Sequence, residues 1–223
     1  MSIVMVAVEE MNLDELRVAL APLVARHAAF DGWSEEAVGY AAADLGVPAD
    51  RARLAFTRGK VQMIDAWFDS VDLAMAAAFP PDRIAAMKIR DRIRELVMFR
   101  LEHLLPEREA LRRALAVLAA PVNAAAAARL AWRSADRIWR LAGDTATDFN
   151  HYSKRAILIG VYGSTSFVFL DDQSEGLADT RAFLDRRIDN VMQFEKAKAR
   201  WRGSGERMPS LSRFLGRLRY PVV

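Results

Sequence analysis

Histidines and paired carboxylates are the side chains that could carry out chemistry in this sequence, and their spacing does not form a catalytic or metal site. The three histidines, His27, His103 and His151, lie far apart, and neither a Glu-x-x-His nor a His-Glu-x-x-His pattern occurs. Asp171 and Asp172 are adjacent, so their carboxylates would diverge on a helix, and the pair is predicted to mark a helix end. With no cysteine, thiolate chemistry and disulfides are excluded. The sequence therefore predicts binding rather than catalysis, with no metal and no cofactor.

Capping residues, prolines and apolar spacing divide the chain into helices and leave no strand pattern. We expect an all-α protein with helices at about 12–27, 34–46, 48–56, 59–79, 89–104, 107–119, 122–141, 148–170, 177–201 and 208–220. A Gly-Ser-Gly sequence at 203–205 is predicted to be a linker.

The first helices are short and joined by tight turns, and the remainder is longer. This arrangement is similar to the TetR family of repressors, which places a helix-turn-helix-like head at 1–79, a helical ligand-binding and dimerisation domain at 80–202 and a terminal segment at 203–223. Fold likeness alone does not give function.

The charge of the head argues against DNA binding, although the chain as a whole has a net charge of +3. Residues 31–60 contain five acidic and four basic residues, and residues 1–50 contain nine acidic and two basic ones. Phosphate binding needs the opposite balance. Arg51 and Arg53 are interpreted as a solvated helix face, and no nucleic-acid partner is expected. The alternative is a TetR-like transcriptional regulator with a hydrophobic ligand.

The segment 141–157, LAGDTATDFNHYSKRAI, carries a more specific signal. It resembles the signature of the lipid-binding accessory proteins of ubiquinone (coenzyme Q) biosynthesis, the ninth numbered Coq protein family. Weaker matches, including Gly32-Trp33-Ser34 and Val161-Tyr162, extend the resemblance over about residues 25–195. His151 stands where the family usually has a larger aromatic residue.

The resemblance implies a non-enzymatic protein with a TetR-like fold and a hydrophobic pocket for lipids, including isoprenoid quinone intermediates. It also implies a homodimer that presents the intermediate to a partner, a di-iron demethoxyubiquinone hydroxylase.

The start of the helix at 148–170 is the predicted surface for that partner. Several of its polar and aromatic residues are spaced three and four apart on one side of the helix, and Tyr and Arg are enriched in binding hot spots. The predicted contacts are Asp148, Asn150, His151, Tyr152 and Arg155. The alternative is a capping motif that only fixes the corner between two helices.

Residues 156–170 are apolar on nearly all faces and are expected to be buried on all sides. Together with residues from two preceding helices they are predicted to form the lipid pocket. The predicted wall comprises Met98, Trp132, Trp139, Ile157, Val161, Tyr162 and Phe167. Core packing or a dimer interface is the alternative for each of them.

The last predicted helix is basic and amphipathic, because its apolar residues recur at i, i+3, i+4 and i+7 among arginines. Helices of this kind lie in the membrane interface. The predicted membrane contacts are Leu211, Arg213, Phe214, Leu215, Arg217 and Leu218. Packing on the body or on a dimer mate is the alternative. With neither a secretory signal nor a presequence apparent, we expect a cytoplasmic protein, peripheral on the inner face of the membrane.

Overall fold

The computed structural model describes residues 10–147 and 149–204, and within these ranges all the regular structure is helical. The predicted all-α class is confirmed for these residues. The α-helices are α1 (Leu13–Asp31), α2 (Glu35–Leu45), α3 (Ala49–Ala55), α4 (Lys60–Ala78), α5 (Pro81–Ala85), α6 (Ile89–His103), α7 (Arg108–Ala119), α8 (Ala124–Leu141), α9 (Phe149–Asp171) and α10 (Ala178–Ser204).

Local sequence signals set most of these boundaries. Asn12 accepts hydrogen bonds from the first turn of α1 and forms a capping box with Glu15. Ser34 caps α2, and Gly46 ends that helix in the left-handed conformation, with φ of 75°. Sequence analysis did not predict α5, which starts at Pro81 and has only five residues. A helix this short has too few positions to show an apolar period.

The head is joined to the body through α1 and Trp33. Helix α1 packs against α2, α3 and α4, and also against α7 of the body. Trp33 is buried, its ring lies 5.3 Å from that of Trp67, and its Nε1–H donates to the backbone oxygen of Ala110 at 3.2 Å. Residues 1–184 accordingly form one compact unit.

Helices α8 and α9 form the centre of the body. Helix α9 packs against α6, α7 and α8, while α8 also contacts α4, α6 and α7. Among the described residues, no single helix is long and apolar enough to cross a membrane, although Arg108–Ala119 and Pro121–Leu141, bent by 89°, meet the length and composition together.

Two sequence predictions about helices were wrong. Gly203 and Ser204 belong to α10 rather than to a linker, because one glycine costs a helix only about 1 kcal/mol. The segment 156–170 is not buried on all sides, since Ala156, Gly160 and Phe167 are exposed. These three lie along one stripe of α9 that helices α1 to α8 leave uncovered.

Candidate functional site

A cavity of about 590 Å³ lies between α4, α6, α7, α8 and α9. Pockets that enclose small ligands span roughly 300–1,000 Å³. Most of its wall is apolar, including Phe68, Leu111, Leu115, Leu130, Ile159 and Leu170. Its size and lining suit a hydrophobic molecule.

The sequences of α7, α8 and α9 explain why space remains between them. Leu111, Leu115 and Leu118 recur on one side of α7 and face the cavity. Across from them, the lining includes Ala127 and Ala131 of α8, together with glycine and serine positions of α9. Small side chains fill little of the volume between helices, so the leucines border a cavity rather than a packed core.

One end of the cavity is polar and buried. Arg100 is buried there, and its Nε–H donates to the Tyr162 hydroxyl at 3.3 Å while Nη2 donates to the Ser134 hydroxyl at 3.1 Å. Its Nη1 forms an ion pair with the buried carboxylate of Asp72. A buried guanidinium needs such a counter-charge, because an unpaired charge in the interior is very costly.

The other end of the cavity reaches the surface. Phe167 lines the cavity and is 66% exposed. Arg112 and Asp171 also line it and form an ion pair at 2.8 Å, and Arg112 donates to the Leu170 backbone oxygen at the same distance. A ligand can therefore enter beside Phe167, with its inner end toward Arg100.

The predicted lipid-binding residues divide between this cavity and other positions. Tyr162 and Phe167 line the cavity. Met98 and Val161 are buried core residues, and Ile157 is partly buried on α9, but these three are not part of the lining.

The two predicted tryptophans also lie outside the cavity lining. Trp139 donates through Nε1 to the Lys154 backbone oxygen at 3.0 Å, which ties α8 to α9. Trp132 belongs to an aromatic cluster on the surface, described next.

The aromatic surface consists of Trp132, His151 and Tyr152. The Tyr152 ring lies 5.9 Å from Trp132 and 5.1 Å from His151, and Tyr152 is 60% exposed. His151 is held by a hydrogen bond from Nδ1–H to the Ala146 backbone oxygen at 3.0 Å. Asn150 is exposed beside them, while Asp148 lies outside the described residues. Fixed, partly exposed aromatic side chains of this kind suit protein contact.

Arg155 supports this surface from below, and the prediction that it is exposed was wrong. Its side chain is buried, with Nε 2.7 Å from Asp136 and Nη1 3.0 Å from Asp144. Burial raises the pKa of Asp144, but hydrogen bonds from Lys154 and Arg155 outweigh this, so the net pKa is lowered. The interaction fixes the connection between α8 and α9.

The remaining predictions concern membrane contacts and metal binding. The predicted membrane residues Leu211, Arg213, Phe214, Leu215, Arg217 and Leu218 all lie outside the described residues. Within the described ranges, no group of three His, Asp or Glu side chains is arranged to hold a metal ion.

Sequence reasoning missed Arg100, Ser134 and Asp72. A signal for Arg100 was present, because it falls among the apolar positions of α6 with Leu96, Val97 and Leu101, where a solvated arginine is not expected. Asp72 lies 28 residues earlier, so only the fold reveals the pair.

Comparisons with known proteins agree with the sequence signature. The COQ9 family model matches residues 124–195. The mitochondrial ubiquinone biosynthesis protein COQ9 of Rattus norvegicus is 31% identical over 181 residues, covering 78% of this chain and 58% of that protein. The Homo sapiens protein of the same name is 28% identical, covering 78% and 57%. The chain thus spans just under three fifths of the length of these relatives.

A solved structure confirms the predicted TetR-like fold. It is a TetR transcriptional regulator from Nitrosomonas europaea, with a TM-score of 0.63 and 27% sequence identity. The match covers 79% of this chain and 98% of that one.

Proposed function

We propose that this chain, which is similar to the COQ9 proteins, serves ubiquinone biosynthesis as a lipid-binding accessory protein at a membrane surface. In this role it holds an isoprenoid quinone intermediate and presents it to a partner, a di-iron demethoxyubiquinone hydroxylase. It performs no chemistry on the intermediate itself.

The apolar cavity is the observation that carries this proposal. Much of its wall comes from α8 and α9, within the residues that the family model matches. Burial of apolar ligand surface contributes roughly 25 cal/mol per Å². An apolar tail against Leu115, Leu130 and Ile159 therefore supplies most of the binding free energy.

Native mass spectrometry of the purified chain tests lipid binding. We expect a bound lipid in the wild-type protein and its loss in Leu115→Trp, because the larger ring fills the cavity. The matched control is Leu54→Trp, since Leu54 is 58% exposed on α3. Equal lipid content in the two variants, or none in the wild type, would contradict the proposal.

The aromatic surface is the proposed contact for the hydroxylase. Tyr152→Ala is expected to weaken capture of the hydroxylase by about tenfold or more, as for a hot-spot aromatic, while leaving the fold intact. Tyr40→Ala is the matched control, because Tyr40 is similarly exposed, at 53%, on α2. Unchanged capture by Tyr152→Ala in a pull-down would argue against this surface.

The proposed membrane attachment depends on the sequence of residues 206–223. Deletion of these residues is expected to abolish co-sedimentation with vesicles that contain anionic phospholipid, because arginines near such lipid contribute about 1 kcal/mol each. Equal pelleting of the full and shortened chains would end the proposal for this segment.

The proposed homodimer uses the part of the exposed stripe of α9 that lies away from the cavity mouth at Phe167. Ala156 and Gly160 there have small side chains, which allow a second helix to approach closely. Sedimentation equilibrium checks this: Gly160→Arg is expected to yield monomers, whereas a persistent dimer would place the interface elsewhere.

A further inference from the structure

The buried polar end of the cavity has hydrogen-bond donors to spare. Arginine has five N–H donors. Within the part of the chain that the structure describes, three of the N–H groups of Arg100 are used, by Tyr162, Ser134 and Asp72. The Tyr162 hydroxyl accepts from Arg100, which leaves its own proton for another acceptor. The donors that remain belong to residues that line the cavity.

The buried charges at this end of the cavity balance each other. Arg100 and Asp72 are both buried and form an ion pair. Asp72 itself is not part of the cavity lining, so a ligand meets the donors and not the carboxylate. An anionic head group here would bring a buried charge with no counter-charge left to balance it.

From this arrangement we infer that Arg100 and Tyr162 select ligands whose polar head is an uncharged oxygen acceptor, such as a ring carbonyl, over ligands with a phosphate or carboxylate head. This inference rests on the proposed lipid-binding function and deepens it. The apolar wall supplies affinity for the tail, and the donors at the buried end choose the head.

The orientation of the ligand follows from the two ends of the cavity. The head lies at Arg100, in the interior, and the tail extends past Ile159 toward Phe167 at the surface. The ion pair of Arg112 with Asp171 lies where the tail leaves, so it does not recognise the head.

Displacement of the fluorescent dye N-phenylnaphthylamine from the full chain tests the inference with three probes that share one tail. These are a decyl-substituted benzoquinone, decylbenzene and decyl phosphate. We expect the benzoquinone to displace the dye at about tenfold lower concentration than either of the others, because it gains hydrogen bonds without burying a charge.

Tyr162→Phe sharpens the test, since it removes only the hydroxyl. It is expected to lower the affinity for the benzoquinone by about threefold to tenfold and to leave the affinity for decylbenzene unchanged. Tyr40→Phe, on exposed α2, is the matched control and should change neither probe. Ile159→Ala should lower the affinity for both probes to the same extent, because it removes apolar contact with the shared tail.

The outcomes separate the inference from the proposed function. Equal displacement by benzoquinone and decylbenzene, or stronger displacement by decyl phosphate, would overturn head-group selection and leave lipid binding in place. Failure of all three probes to displace the dye would overturn both. The comparison of probes on the wild-type chain decides the matter even if a variant does not fold.

Discussion

Two arginines of the head, on α1 and α3, and two buried arginines of the body, on α6 and α9, are held in different ways. In the head, Arg53 pairs with Asp50 at 2.8 Å, and Arg17 pairs with Asp14 at 2.5 Å, both in exposed contacts within one helix. In the body, Arg100 and Arg155 are buried and reach carboxylates on other helices.

The head arginines therefore contribute surface charge, whereas the two buried arginines position side chains of the candidate site. Arg17 also donates to the Ala55 backbone oxygen and Arg51 to that of Met11, so part of the head's positive charge joins its own segments. The buried arginines instead lie at the inner end of the cavity and beneath the aromatic surface. The comparison favours the body as the functional part of a fold shared with a DNA-binding family.

The largest expected effect is on stability when a buried arginine is removed. Arg155→Met leaves Asp136 and Asp144 without their buried partner and is expected to lower the free energy of unfolding by about 3–5 kcal/mol. Arg53→Met, its exposed counterpart, is expected to cost less than about 1 kcal/mol. Urea unfolding followed by circular dichroism measures both. Similar losses of unfolding free energy in the two variants would contradict the difference between exposed and buried arginines.

A smaller loss of unfolding free energy is expected when side chains that bind backbone N–H groups at the start of a helix are replaced. Asp172 is buried and accepts from the backbone N–H groups of Ser174 and Thr180, at 2.8 and 2.9 Å, and from both hydroxyls. Ser34 in the head accepts one bond, from Ala37 at 3.2 Å. Asp172→Ala is expected to cost about 2–3 kcal/mol and Ser34→Ala about 1 kcal/mol in the same unfolding assay.

The Asp172 effect depends on pH in a defined direction. Burial raises the pKa of this carboxyl, but the hydrogen bonds from Ser174 and Thr180 outweigh it, so the net pKa lies well below its usual range. Its contribution to stability is therefore complete above the unfolded-state pKa of about 3.9 and is lost as the pH falls further. The gap between wild type and Asp172→Ala should narrow below that pH, and a constant gap would contradict this account.

Much of the fold could be predicted from the sequence because helix ends are local signals. Asn12 with Glu15, Ser34 and the Pro80–Pro81 pair each act within a few residues. Asp171 and Asp172 were correctly predicted to mark a helix end, since α9 stops at Asp171.

The site was harder to predict because its polar residues depend on distant partners. Tyr162 and Phe167 were placed in the pocket wall by resemblance, and both line the cavity. Arg155 was predicted to be exposed because its partner Asp136, 19 residues earlier, cannot be paired with it by spacing. Arg100 was missed for the same reason. Sequence periodicity gives the face of a helix but not which helix lies opposite.

The smallest expected effect concerns DNA. Because Arg53 is paired within α3, Arg53→Ala is expected to leave the affinity of the chain for a random DNA duplex unchanged at physiological salt. Residual, salt-dependent binding should instead decrease on deletion of residues 206–223, since residues 181–223 carry eleven basic and four acidic residues. An electrophoretic mobility shift assay over a range of salt concentrations compares the three proteins. If the chain bound DNA sequence-selectively and Arg53→Ala abolished that binding, the comparison would be reversed. Arg53 would then bind DNA phosphate, as in a DNA-binding member of the TetR family.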